Sequence, residues 1–332
     1  AIYNSANGLV EGNTEFQVAL FDDEHRSIYA RHILELAEKN QIRRKPILFE
    51  GNLPARLEEC KPLLERLEAA PLANLRSVET WLGESVSIRP PVSVRWGRRS
   101  GNHLLVVTRD EEEEVGVVMA SVVGLCAQYP ADRLQVYIAD FSTPDAKWAG
   151  ISETLASEFP QTIRLLGRRE LIGALQELKS TIETSAEGMP PREDRYLVLV
   201  GLQRMRDLRI PEPTSLGWGE EAVESPHEQL AEIIRDGPEF GVHVLVWCDA
   251  VSNLRRSMER KTLGEIGFRV AGPMGEQDSM EILDHPGAAR LDKPHRMLFY
   301  DDERPGEPEK FRPYILEDVA WLSSVGRRLR GR

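Results

Sequence analysis

Residues 103–116 read HLLVVTRDEEEEVG, an apolar run that breaks into five consecutive acids before turning apolar again. HLLVV (103–107) is the first of five similar runs. LQVYIAD (134–140), YLVLVG (196–201), VHVLVWC (242–248) and FRVAG (268–272) follow. Near-continuous Val, Leu and Ile suits strands buried on both faces of a parallel sheet. Between them, residues 114–129, 168–184, 227–236 and 254–264 carry helical patterns. Strand and helix in alternation predict an α/β, doubly wound, mostly parallel sheet.

The 332 residues suffice for one large α/β domain and a smaller appendage, and 41% hydrophobic with 29% charged residues is ordinary for a globular chain. A net charge of −12 opposes tight sequence-independent DNA binding, which draws on many Lys and Arg contacts. Local basic stripes remain at Arg95, Arg98 and Arg99, and at Arg327, Arg328, Arg330 and Arg332. For both sets a solvated surface is the competing reading. Cys60, Cys126 and Cys248 stand far apart without metal-ligand spacing, which fits a reducing, cytoplasmic setting. No apolar run nears the ~20 residues that span a bilayer, so this segment is expected to make no membrane contact. The start, AIYNSANG, has no initiating Met and is read as part of something longer.

Residues 23–80 read as a linker or cap, with a helix at 24–39, a strand-like PILFEG (46–51) and a Leu- and Glu-rich helix at 54–70. Residues 207–226, rich in Pro, Gly and Glu, read as a long exposed loop. Its Trp218 is either a docking anchor or an aromatic tucked onto its own domain. The opening AIYNSANGLVEGNTEFQVAL (1–20) echoes MLFYDDERPGEPEKFRPYIL (297–316): strand, polar turn with Gly, then a Phe-centred strand. The echo predicts that residues 1–22 close a preceding repeat, unless the likeness of two short hairpins is chance.

FGVHVLVWCDAVSN (240–253), RVAGPMGEQDSMEILDHPGAARL (269–291) with HRMLFY (295–300), and WLGESVSI (81–88) before GNHLLVV (101–107) together resemble the RecA-like motor domain of the FtsK/SpoIIIE (FtsK/HerA) family. The likeness is collinear over about residues 81–316. It implies a P-loop-type domain over 81–325 in a multi-repeat translocase, with other ATPase repeats as partners, self-association, and DNA reached through the assembly.

Against that family pattern the nucleotide positions are altered. A working P-loop, Gly-x-x-x-x-Gly-Lys-Ser/Thr, wraps phosphates with backbone N–H groups, neutralises them with Lys and holds Mg²⁺ with a hydroxyl. Residues 108–115 offer no glycine, no lysine and no hydroxyl at the magnesium position; Thr108, Arg109, Asp110, Glu111, Glu112, Glu113 and Glu114 stand there instead. A carboxylate about 4 Å from a phosphate charge costs roughly 1 kcal/mol in water and more at lower dielectric. The same acids complement a helix N-terminus, so the run is read as an internal stand-in for the nucleotide's charge or as a solvated acidic turn. Gly201 and Leu202 occupy the Walker B acids' places, and Trp247, Cys248 and Asp249 those of the γ-phosphate sensor. Gln203 could at most orient a water.

No intrinsic ATPase activity, no bound cofactor and no metal are therefore expected. ATP and Mg²⁺ enter only if that reading fails, as a residual ATP-binding domain. Arg269, Arg255 and Arg256 are candidates to act in trans on a neighbour's nucleotide, with salt bridging as the alternative. The seven histidines show no HExxH spacing and no Gly-x-Ser-x-Gly elbow occurs, which leaves an unrelated hydrolase without support. His243 is read as a packing histidine.

Overall fold

The computed structural model describes residues 2–4, 13–42, 53–73, 75–87, 89–146, 149–188, 192–211, 224–304 and 306–332. PILFEG (46–51) and Trp218 lie outside them. Two compact units emerge, Ala1–Glu50 and Gly51–Arg332.

The smaller unit holds an antiparallel pair, β1 (Ile2–Asn4) and β2 (Asn13–Glu15), and a helix, α1 (Asp23–Lys39). Asp22 caps α1 by accepting from the His25 N–H at 2.8 Å.

The larger unit runs β3 (Ala55–Arg56), α2 (Lys61–Glu68), β4 (Val78–Ser85), β5 (Val92–Trp96), β6 (Leu104–Val107) and α3 (Glu111–Gln128). It continues with β7 (Leu134–Asp140), α4 (Ile151–Glu158), β8 (Thr162–Leu165), α5 (Arg168–Ala186), β9 (Asp194–Val200), α6 (Pro226–Asp236) and β10 (Val242–Cys248). Then come α7 (Val251–Leu254), α8 (Arg260–Gly264), β11 (Phe268–Ala271), α9 (Glu276–Leu283), β12 (Met297–Asp301), β13 (Glu309–Ile315) and α10 (Val319–Arg330). The sheet order is β5-β4-β13-β12-β11-β6-β10-β9-β7-β8, with β3 beside β13. From β11 to β8 all neighbours are parallel, and from β12 to β5 all are antiparallel. All five predicted apolar runs are strands of the parallel part, as the α/β reading requires.

Alternation along the strands builds two cores. Leu104, Val106, Leu245 and Trp247 face one, with α3 and α4. Leu105, Val107, Val244 and Val246 face the other, with α5 and α6. Helix α3 is buried from Glu113 to Gln128 because β4 and β13 cover the side turned away from the parallel strands, which explains a helix apolar all round. A Cβ on Gly116 would stand 1.7 Å from the Tyr314 carbonyl oxygen, so only glycine lets α3 pass β13 this closely.

The expected linker at 23–80 is corrected at its C-terminal end. Leu57, Cys60, Leu63 and Leu67 are buried in the first core, and β3 pairs with β13, so residues 51–80 belong to the large unit. The predicted helix at 54–70 is a strand, a 3-10 turn and the shorter α2, and the one at 254–264 divides into α7 and α8.

His243 is 1% exposed, stacked on Tyr196 at 4.9 Å, and its Nδ1 meets the Asn102 carbonyl at 2.8 Å. His103 beside it accepts from the Val244 N–H, and burial lowers its pKa to about 3. Both are packing histidines.

Candidate functional site

Strand β6 passes into α3 through three residues, Thr108, Arg109 and Asp110. The helix begins at Glu111 and not at residue 114, so the four glutamates form its first turn. A first turn leaves N–H groups without intrahelical acceptors, and these are the groups with which a P-loop holds phosphate. Here Asp110 serves them: its Oδ1 accepts from the N–H of Glu112 at 3.0 Å and of Glu113 at 3.1 Å. Thr108, 3% exposed, uses its hydroxyl to accept from the Asp110 N–H at 3.2 Å. Arg109, Asp110 and Glu111 are exposed.

Glu113 and Glu114 turn inward and are 4% and 2% exposed. Burial first, then the charges of Asp110 and Glu112, pushes Glu113 up to about 8 despite a hydrogen bond from Thr108. Burial, then Asp140 and Glu111, pushes Glu114 up to about 9, against the pull of Arg204. Glu113 Oε2 and Glu114 Oε1 are shielded from solvent and, among the described residues, lack a hydrogen-bond partner. His295, at a positive φ of 52°, brings its Nδ1 to 3.8 Å from Glu113 Oε1. Glu114 borders a cavity of about 20 Å³ with Glu111, Asp140, Ser152, Arg204 and Trp247. Such a space holds about one water molecule.

At the Walker B position β9 ends at Val200, Gly201 follows with a left-handed φ of 82°, and Leu202 turns fully into the second core. Gln203 is half-buried and lends its carbonyl to Arg209. At the sensor position the Trp247 indole, 3% exposed, donates to the Thr108 carbonyl at 3.0 Å and so ties the ends of β10 and β6. Cys248 is buried, with its thiol pushed up to about 12 by burial, and Asp249 accepts from Asn253 at 2.8 Å.

The three arginines weighed for a role in trans differ. Arg269, 7% exposed, donates to the carbonyls of Ile266 and Ile282 and lies over the Tyr300 ring at 5.2 Å. Arg255 is paired with Glu281 and Asp278. Arg256 is exposed and has no carboxylate partner among the described residues. Thus the structure brings the residues read at the P-loop, Walker B and sensor positions to the C-terminal ends of β6, β9 and β10, and leaves the arginines elsewhere, just past α7 and on β11.

Sequence reading missed Asp140, Ser152, Arg204 and His295. The first two meet across a tertiary contact, Ser152 Oγ donating to Asp140 at 2.7 Å, and His295 reaches Glu113 from 182 residues away in sequence, counted as 295 minus 113. No local spacing signals either. Among the described residues no group of three or more His, Cys, Asp or Glu could hold a metal ion, and no helix is long and apolar enough to cross a membrane.

No family model and no curated protein matches the chain. Solved structures do. EssC (ATPases 2 and 3) from Geobacillus thermodenitrificans superposes with a TM-score of 0.56 at 13% identity, over 86% of this chain and 52% of that one. The cytoplasmic domain of the type VII secretion ATPase EccC from Thermomonospora curvata gives 0.54 at 14%, over 84% and 35%. The pCW3 conjugation coupling protein TcpA, in its monomer form with ATPγS, gives 0.54 at 12%, over 78% and 73%. The chain spans about a third of the EccC structure and about half of the EssC one. What it shares with these FtsK/SpoIIIE-type ATPase domains, and what the resemblance in its sequence implied, is the RecA-like fold.

Proposed function

We propose that the chain is a non-hydrolysing FtsK-like motor module that braces or regulates active ATPase neighbours in a cytoplasmic translocase assembly. The observation that carries this reading is the Asp110 carboxylate on the first N–H groups of α3, where a phosphate would bind. Magnesium triphosphate does not fit the residues present. The loop is too short to wrap it, and residues 108–115 hold no lysine. Restoring the Walker B acids would set an aspartate in a left-handed conformation at 201 and a glutamate in the apolar core at 202.

The EssC structure comprises ATPases 2 and 3 and EccC is named a secretion ATPase, which supports partner repeats of the same parent and a secreted cargo. Arg256 is the arginine best placed to reach a neighbour. The test is phosphate release by the purified chain with ATP and Mg²⁺. Release at the buffer rate is expected, and turnover abolished by Asp110→Lys would overturn the reading in favour of a residual ATPase.

A further inference from the structure

At the edge of the sheet opposite Asp110, strand beginnings gather arginines. Arg133 precedes β7, Arg192 precedes β9, Arg76 precedes β4, and Arg95, Arg98 and Arg99 lie at or just past the end of β5. They line one cleft of about 930 Å³, in the size range of small-ligand sites. Among the described residues Asp194 is its sole acidic wall residue, and Asp194 is already answered by Arg98 at 2.8 Å and by the Tyr129 hydroxyl at 2.7 Å. Arg99 is held by Glu303. Arg95 and Arg192 are exposed with no carboxylate in salt-bridge reach among the described residues, and the Arg133 Nε is shielded from solvent without an acceptor.

Six arginines around one aspartate, in a chain of net charge −12, concentrate positive potential that a bound anion would relieve. Among the described residues its lining holds no lysine. Arginine's planar fork matches phosphate oxygens in pairs, whereas an ammonium offers a point charge. We propose that this cleft binds clustered phosphate groups, carried either on a small polyphosphate or along a nucleic-acid backbone. Trp96 contributes to the wall but is 1% exposed and donates its indole N–H to Thr80 at 2.8 Å, so it offers no stacking face. Recognition here is by charge and shape, without base preference.

The experiment is calorimetric titration of the full chain with inorganic tripolyphosphate, with a mixed-sequence single-stranded oligonucleotide, and with a polyglutamate of matched charge. At least one phosphate probe is expected to bind, tripolyphosphate alone naming a small ligand and the oligonucleotide alone naming a backbone. About three phosphate contacts would weaken oligonucleotide binding roughly tenfold between about 50 and 150 mM salt. The variant Arg95→Glu with Arg192→Glu, both exposed and so without a role in packing, should bind at least tenfold more weakly with an unchanged circular dichroism spectrum. Silence of both phosphate probes, equal binding of polyglutamate, or undiminished binding by the folded variant would overturn the proposal.

Discussion

Glu114 combines 2% exposure with a carboxyl held up to about 9 by burial and by Asp140. In the folded chain it keeps its proton where the unfolded chain, titrating near 4.3, gives it up. The folded state binds more protons, so this contribution is complete below about pH 4 and is lost as pH rises toward 9. Glu114→Gln, similar in shape and uncharged, should therefore stabilise the chain by up to about 5 kcal/mol at pH 8 and by about 1 kcal/mol at pH 5, which urea unfolding at both pH values measures. A second site tests packing: Gly116→Ala drives a methyl into the Tyr314 carbonyl and should cost at least about 3 kcal/mol or abolish folding. At this scale the sequence showed which residues a phosphate site lacked. It did not show that Asp110 would cap while Glu113 and Glu114 turned inward, because that division follows from where α3 begins.

The fate of α3 decides the nucleotide end. Its start was misplaced by three residues because four successive glutamates look like loop, whereas Asp110 makes them a capped first turn. Asp110→Ala removes two hydrogen bonds and should cost about 1 kcal/mol, lowering Tm by roughly 2 °C in a thermal melt. Asp110→Asn keeps an acceptor and should recover most of the loss. The parallel strands were legible because residues such as Val106 and Val107 feed opposite cores and so read as unbroken apolar runs. Residues 51–80 were less so. Their buried leucines are spaced among Glu and Lys, and β3 exists only through its pairing with β13.

Across the larger unit the sheet separates charge, with Asp110 and Glu111 beyond the ends of the parallel strands and the arginine cleft before their starts. The acidic end was visible as one run of sequence. The basic end was only half visible, since Arg76, Arg133 and Arg192 join Arg95, Arg98 and Arg99 only once the fold brings the start of β4 and the end of β5 to the starts of β7 and β9. On the proposed reading, a helix N-terminus satisfied by its own aspartate leaves no vacancy for a triphosphate at that end. The most direct measurement is calorimetric titration with ATP and Mg²⁺ of the chain carrying Arg95→Glu and Arg192→Glu, which removes the second anion site from the signal. No heat of binding up to millimolar nucleotide is the result expected from the Asp110 cap; saturable binding that Asp110→Lys alters would contradict it.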